Sequence, residues 1–264
     1  MSNKKNILIT NDDGFDAVGL KHLVEALRPL ANITVVAPSA NKSACAHSMT
    51  LTHPLRFKSF GDDMYKLEDG TPTDCIFLGL HTLYPDGKMP DLVVSGINIG
   101  SNMGEDITYS GTVAGAMEAV LQGVPAIAIS QVLDDKIKEI IDLWDYSLAK
   151  KSIFDIVQKI LEDGFPVSKR KLLNINIPTC AVDECNGVRI TKAGYRAYGN
   201  DFRTYHDPKG SEFHWIGLHP LIWESNDKLC DFEAVNENYV SITPIKLDMT
   251  SYDDIEKLNK WMEK

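Results

Sequence analysis

The sequence predicts an α/β protein with a Rossmann-like, doubly wound, mostly parallel sheet and a β-rich C-terminal extension. Short apolar runs alternate with helical periodicity to about residue 135, the pattern of parallel βαβ units. Polar, glycine-containing loops follow those runs, where open parallel sheets build their sites. The 264 residues, 44% hydrophobic and 24% charged, are enough for one large core.

Residues 6–10 read as a central strand, apolar on both faces. Leu20, Leu23, Val24 and Leu27 fall at i, i+3, i+4 and i+7 and predict a helix over 20–30, ended near Pro29. Residues 33–37 form the second strand, and 38–49 are a polar loop without periodicity. A short strand over 64–67, a turn at 69–72 and a helix around 74–82 follow. Residues 91–96 are the next strand and run into the glycine- and asparagine-rich segment 96–104. A helix over 112–121 and a buried strand over 126–129 come next, then a long helix over 136–161 and a strand over 172–177. From about 187 to 246, aromatic and β-branched residues between turn formers suggest hairpins, and 253–261 suit a last helix. The expected organisation is a Rossmann-like catalytic core, 1–180, and a β-rich region with hairpins and a terminal helix, 181–264, together one structural unit.

Thirty-seven acidic and 27 basic side chains give a formal charge of −10. That charge repels a nucleic-acid backbone and no basic run overrides it, which argues against duplex nucleic acid as a partner. No stretch of about 18 apolar residues is present to span a membrane. The five cysteines are odd in number, and the first residues lack a secretory apolar region; both point to a reducing, cytoplasmic setting.

Thr10-Asn11-Asp12-Asp13-Gly14 stands where the first strand ends. Adjacent ionised carboxylates in a cleft are costly unless a cation joins them, and a hard divalent ion such as Mg²⁺ or Mn²⁺ suits oxygen ligands. The same residues also suit a plain strand-to-helix turn. Asp12 and Asp13 are adjacent rather than two apart, which argues against an aspartyl-phosphate mechanism. No Gly-x-Gly-x-x-Gly pattern follows the first strand, which disfavours a dinucleotide site. Further on, Gly96, Gly100 and Gly104 permit close backbone approach, while Asn98 and Asn102 offer neutral oxygens to a metal and amide donors to a phosphate. Ser110, Gly111 and Thr112 open a helix whose N–H groups and hydroxyls can receive an anion, or simply cap the helix. Together the three segments describe a metal-assisted phosphate site.

Six ordered blocks resemble the SurE family of survival-protein nucleotidases. They are Ile9-Thr10-Asn11-Asp12-Asp13-Gly14; Ala37-Pro38 with Lys42-Ser43-Ala44; Gly70-Thr71-Pro72-Thr73-Asp74-Cys75; Ser95-Gly96-Ile97-Asn98 with Gly100 and Asn102-Met103-Gly104; Tyr109-Ser110-Gly111-Thr112; and Tyr239-Val240-Ser241-Ile242-Thr243-Pro244. The resemblance implies a metal-dependent phosphatase, a 5′-nucleotidase that hydrolyses nucleoside 5′- and 3′-monophosphates to nucleoside and phosphate, some members also trimming short polyphosphate. It implies one divalent cation per subunit, Mg²⁺ or Mn²⁺, held by Asp12, Asp13, Ser43 and Asn98. It also implies substrate contacts at Asn102, Ser110, Gly111 and Thr112, and homodimers or homotetramers assembled through the C-terminal region. Lys42 stands where the family often has arginine, and Leu229-Cys230-Asp231 where it commonly shows Gly-Thr-Asp.

The expected chemistry is attack by a metal-held water, with Asp12 and Asp13 as the catalytic pair and the helix start at 110–112 receiving phosphoryl oxygens. His47, in the loop of Ser43, is a candidate for protonating the leaving oxygen. The competing function is a noncatalytic nucleotide- or phosphate-sensing module, which has no need of paired aspartates. Cys180 and Cys185 read as buried thiols rather than a zinc clip, and His206, His214 and His219 as surface or packing residues.

Overall fold

The computed structural model describes residues 4–84, 87–133, 144–199, 201–217, 221–224 and 227–263. In chain order they form β1 (Asn6–Thr10), α1 (Val18–Leu27), β2 (Asn32–Pro38), β3 (Arg56–Ser59), β4 (Met64–Glu68), α2 (Pro72–Thr82), β5 (Leu92–Ile99), α3 (Gly111–Leu121) and β6 (Ala126–Gln131). There follow α4 (Ser147–Asp163), β7 (Lys171–Ile177), β8 (Val188–Ile190), β9 (Phe202–His206), β10 (Glu212–Ile216), α5 (Asp231–Asn236), β11 (Val240–Lys246) and α6 (Tyr252–Met262). The main sheet among the described residues runs β3-β4-β2-β1-β5-β6-β7-β11-β8. It is parallel from β4 to β7, as predicted, with β3 antiparallel to β4 and β11 antiparallel to β7.

The period-two alternation of β1 divides its side chains between two cores. Ile7 and Ile9 pack under α1 and α4, whereas Leu8 packs under α2 and α3. A central strand covered on both faces must therefore be apolar throughout, and β1 is. On α1, Leu20, Leu23 and Leu27 are at most 1% exposed; their burial contributes roughly 1.5–3 kcal/mol each. Helix α2 starts at Pro72, two residues before the expected start, because Thr71 and Asp74 form a reciprocal cap: Asp74 N–H donates to Thr71 Oγ1 at 3.2 Å and Thr71 N–H to Asp74 Oδ2 at 2.9 Å.

Three expectations need correction. The helix expected over 20–30 spans Val18–Leu27, since Pro29 removes the N–H that a further turn needs. The helix expected over 136–161 begins only at Ser147 among the described residues; 136–143 lie outside them. Trp144 and Tyr146 are instead buried in the α1/α4 core, and Asp145 Oδ1 accepts the Ser147 N–H at 2.8 Å, a local bond that competes with helix. In the C-terminal part the β9–β10 hairpin is present, but α5 was not foreseen, and β8 and β11 join the main sheet beyond β7. No helix among the described residues is long and apolar enough to cross a membrane. The five cysteines are unpaired, with Cys180 and Cys185 half-buried. His206 and His214 lie on the exposed hairpin, and His219 lies outside the described residues.

Candidate active site

The chain leaves β1 for β2 on one side and later returns to β5 on the other, so a crevice opens between the carboxyl ends of β1 and β5. Open α/β sheets bind ligands at this kind of switch point. Thr10 pairs with Ser95, which sets the two strand ends level. Asp12 and Asp13 leave β1 there, and Asn98 comes from β5 just past a register shift between Ser95 and Asn98. Gly96 makes that shift possible: its φ is +139°, and a Cβ would stand 2.2 Å from the Ile129 carbonyl oxygen.

The N-terminus of α3 grips Asp12. The Thr112 hydroxyl donates to Asp12 Oδ1, and the Thr112 N–H donates to Oδ2 at 3.1 Å, with the Gly111 N–H adding to the same carboxylate. Thr112 thus engages Asp12 directly through both its hydroxyl and its N–H. Gly111 fits because nothing larger does: a Cβ there would lie 2.8 Å from Asp12 Cβ and 2.8 Å from Cys45 Sγ. Ser110 is the N-cap, its Oγ accepting the Val113 N–H at 3.0 Å, which leaves the hydroxyl hydrogen to donate outward. Asp13 takes the Ile99 N–H on Oδ2 at 3.1 Å. The Asn98 amide donates to the Gly100 carbonyl at 2.8 Å, so its carbonyl oxygen is the end left for a ligand.

Ser43 lies on the exposed loop after β2, and its N–H is tied to Asn41 Oδ1 at 2.7 Å. The preceding residue, Lys42, donates its N–H to the Asp12 carbonyl at 2.7 Å, which brings this loop to the aspartates. The Ala46 N–H reaches the Tyr109 carbonyl at 2.9 Å and ties the loop to the start of α3. His47 meets the buried Glu118 through Nε2 at 3.0 Å and braces the same loop against α3.

Asn102 is held by residues that sequence reasoning missed. Its N–H donates to Asn176 Oδ1 at 2.8 Å, its carbonyl accepts from Asn174 and Asn176, and its amide donates to Ser130 Oγ at 2.7 Å. Asn174, Asn176 and Ser130 are fully buried. The signal was present: two asparagines at i and i+2 in an otherwise apolar strand must find partners, because an unpaired buried amide is costly. Their partner is the backbone of Asn102, in the loop that follows β5.

Burial dominates the electrostatics. It raises the Asp12 carboxyl above its ordinary value, against the Thr112 and Gly111 hydrogen bonds that pull it down. Asp13 is pushed up to about 7, first by burial and second by the Asp12 charge. Cys45 is pushed up to about 11 by burial and then by Asp12, so at neutral pH it is a thiol, not a thiolate. The donor set is two carboxylates with neutral oxygens; among the described residues no three His, Cys, Asp or Glu side chains gather as a metal group, here or elsewhere. Oxygen donors with surplus negative charge fit a hard divalent cation.

Asp13 makes the stability of the metal-free protein depend on pH. A carboxyl raised on folding from 3.8 to about 7 binds its proton more tightly in the native state, so its contribution to stability is full below 3.8 and is lost as pH rises to 7. Between pH 5 and 8, with EDTA present, the wild type should therefore lose about 2 kcal/mol relative to Asp13→Asn, roughly 4–8 °C in Tm. Parallel melting curves in calorimetry check this; curves that keep a constant separation across that range would refute it.

A family model described as "Survival protein SurE" matches residues 7–200. The 5′-nucleotidase SurE of Aliarcobacter butzleri is 60% identical over 98% of this chain and 99% of its own length. That of Helicobacter hepaticus is 55% identical over 98% and 99%. Among solved structures, the SurE protein from Aquifex aeolicus superposes with a TM-score of 0.82 at 41% identity, covering 98% of this chain and 100% of that one.

Proposed function

Because the chain belongs to the SurE family of survival proteins, we propose that it is a divalent-metal-dependent 5′-nucleotidase that also accepts nucleoside 3′-monophosphates and short polyphosphate. The observation that carries the metal is the Asp12–Asp13 pair at the β1/β5 switch point, Asp12 buried and Asp13 partly so, where two adjacent negative charges are costly without a cation. Asp12, Asp13, Ser43 and Asn98 would hold one Mg²⁺ or Mn²⁺. When bound, the ion supplies Lewis acidity toward a phosphoryl oxygen and cancels the charge of the pair.

The protein's own groups do the rest. Thr112 keeps Asp12 in one orientation, and the Ile99 N–H does the same for Asp13. The Ser110 hydroxyl and the second amide hydrogen of Asn102 face developing negative charge on phosphate oxygens, preorganised by the α3 cap and by Asn174 and Asn176. The positive end of the α3 dipole favours an anion at the same place. A reducing, cytoplasmic setting suits the unpaired thiols. Exposed apolar residues on the hairpin and last helix, among them Trp215, Ile216, Leu258 and Trp261, suit a homodimer or homotetramer formed through the C-terminal region.

The test is phosphate release from 5′-AMP, 3′-AMP and tripolyphosphate, each in EDTA and again after Mn²⁺ is restored. Release from all three with metal, fastest from the nucleotides, is expected. Nucleotide binding that survives EDTA with no phosphate released at any metal concentration would instead mark a sensing module.

A further inference from the structure

The residue immediately before the phosphate-facing cap is an exposed aromatic, Tyr109, and a second exposed aromatic, Tyr198, lies against it. Their rings meet edge to face with centroids 6.5 Å apart, and the two residues are 58% and 51% exposed. Nearby aromatic residues with a packing role look different. Trp223 and Phe232 stack at 5.5 Å, and Phe232 is buried at the centre of a small core with Met103 and Cys230. Tyr109 and Tyr198 contribute little to any core, yet both are fixed in place.

The short 3₁₀ turn Gly104–Thr108 fixes them. The Tyr109 N–H donates to the Asp106 carbonyl at 3.1 Å, and the Tyr198 hydroxyl donates to Asp106 Oδ1 at 2.9 Å. The other Asp106 oxygen takes the Arg196 guanidinium, which lies 5.4 Å from the Tyr198 ring, and the Arg196 N–H donates to Glu105 Oε2 at 2.7 Å. Asp106 therefore engages both residues, Tyr109 through its backbone carbonyl and Tyr198 through its carboxylate. The Tyr109 carbonyl is itself held by the Ala46 N–H, from the loop that carries Ser43.

We propose that Tyr109 and Tyr198 form a stacking platform for the base of the nucleotide substrate. The inference rests on the phosphatase reading above and specifies a subsite of the same centre. With phosphate oxygens at Ser110, the nucleoside extends outward past the adjoining residue, and that residue is the exposed aromatic Tyr109. The polar groups around the platform, Asp106, Glu105 and Arg196, are engaged with one another. Recognition is then by stacking, which every base supports, and not by hydrogen bonds to base edges. Broad base tolerance follows, with purines favoured through their larger rings.

The experiment compares AMP with ribose 5-phosphate, which carries the same phosphate and sugar without a base, on wild type, Tyr109→Ala, Tyr109→Phe and Tyr198→Ala. The readout is the ratio of kcat/KM for AMP to kcat/KM for ribose 5-phosphate. Loss of a stacking partner should lower that ratio about 10-fold in Tyr109→Ala, through KM for AMP, and by a smaller factor in Tyr198→Ala. Tyr109→Phe, which keeps the ring, should restore it. A ratio unchanged in both alanine variants, or not restored by phenylalanine, overturns the platform. Calorimetric binding of the same two ligands is measured alongside turnover. A wild type that releases no phosphate sinks the phosphatase reading, whereas a binding preference for AMP that Tyr109→Ala leaves intact sinks the platform alone.

Discussion

Asp12→Asn should lower phosphate release from 5′-AMP on the order of 10³-fold while leaving the protein folded. The substitution keeps the shape of the side chain but replaces one acceptor oxygen with an NH₂ group. Two donors from Thr112, its hydroxyl and its N–H, now converge on Asp12; with asparagine only one keeps an acceptor and the other meets a donor. Removing the carboxylate also halves the charge available to a cation. Stability moves the other way, because burial already penalises the charge at this position. The apo variant should therefore melt within a few degrees of the wild type. The wild type should gain about 2.7 kcal/mol from Mn²⁺ at a hundredfold excess over Kd, and the variant should gain little. Calorimetric scans with and without Mn²⁺, beside the phosphate assay, check both halves. A variant that hydrolyses AMP normally, or is stabilised by Mn²⁺ as the wild type is, would remove Asp12 from the metal site.

Gly111→Ala should cost about 100-fold in kcat/KM, although alanine is the better helix former by up to ~1 kcal/mol. The added methyl would stand 2.8 Å from both Asp12 Cβ and Cys45 Sγ and 3.0 Å from Asp12 Oδ2. Contacts that short are not tolerated, and something must move. The Cys45 side chain can swing into its loop, but Asp12 is clamped by Thr112, so α3 and the carboxylate shift together. Overpacking of this kind costs about 1–3 kcal/mol, which the gain in helix propensity partly offsets. Adding Cys45→Ala should relieve one of the two clashes and recover part of the activity. Steady-state kinetics of the single and double variants decide it; a fully active Gly111→Ala would mean that Asp12 need not stay where α3 holds it.

Much of this site could be read locally. Asp12 and Asp13 announce themselves as neighbouring carboxylates after an apolar strand, and Asn98 as a polar residue in a glycine-rich loop. The parallel direction of the core strands follows from apolar runs alternating with helical periodicity. Ser43 was different: a serine in a polar loop carries no chemical signature, and only the family resemblance singles it out. The contacts that orient the site were not legible either. Thr112 reaches Asp12 across 100 residues and Asn176 reaches Asn102 across 74. Such pairings depend on which strands neighbour one another, which periodicity does not specify. The same limit explains β11, whose residues read simply as β-forming, while its antiparallel place beside β7 is set by tertiary packing.

The most direct test of the metal-assisted site is phosphate release from 5′-AMP by the wild-type protein, first stripped with EDTA and dialysed, then supplied with Mn²⁺. Release should fall to background after stripping and return with Mn²⁺. Hydrolysis that continues undiminished in the stripped protein would contradict a cation held between Asp12 and Asp13 as the source of the activity.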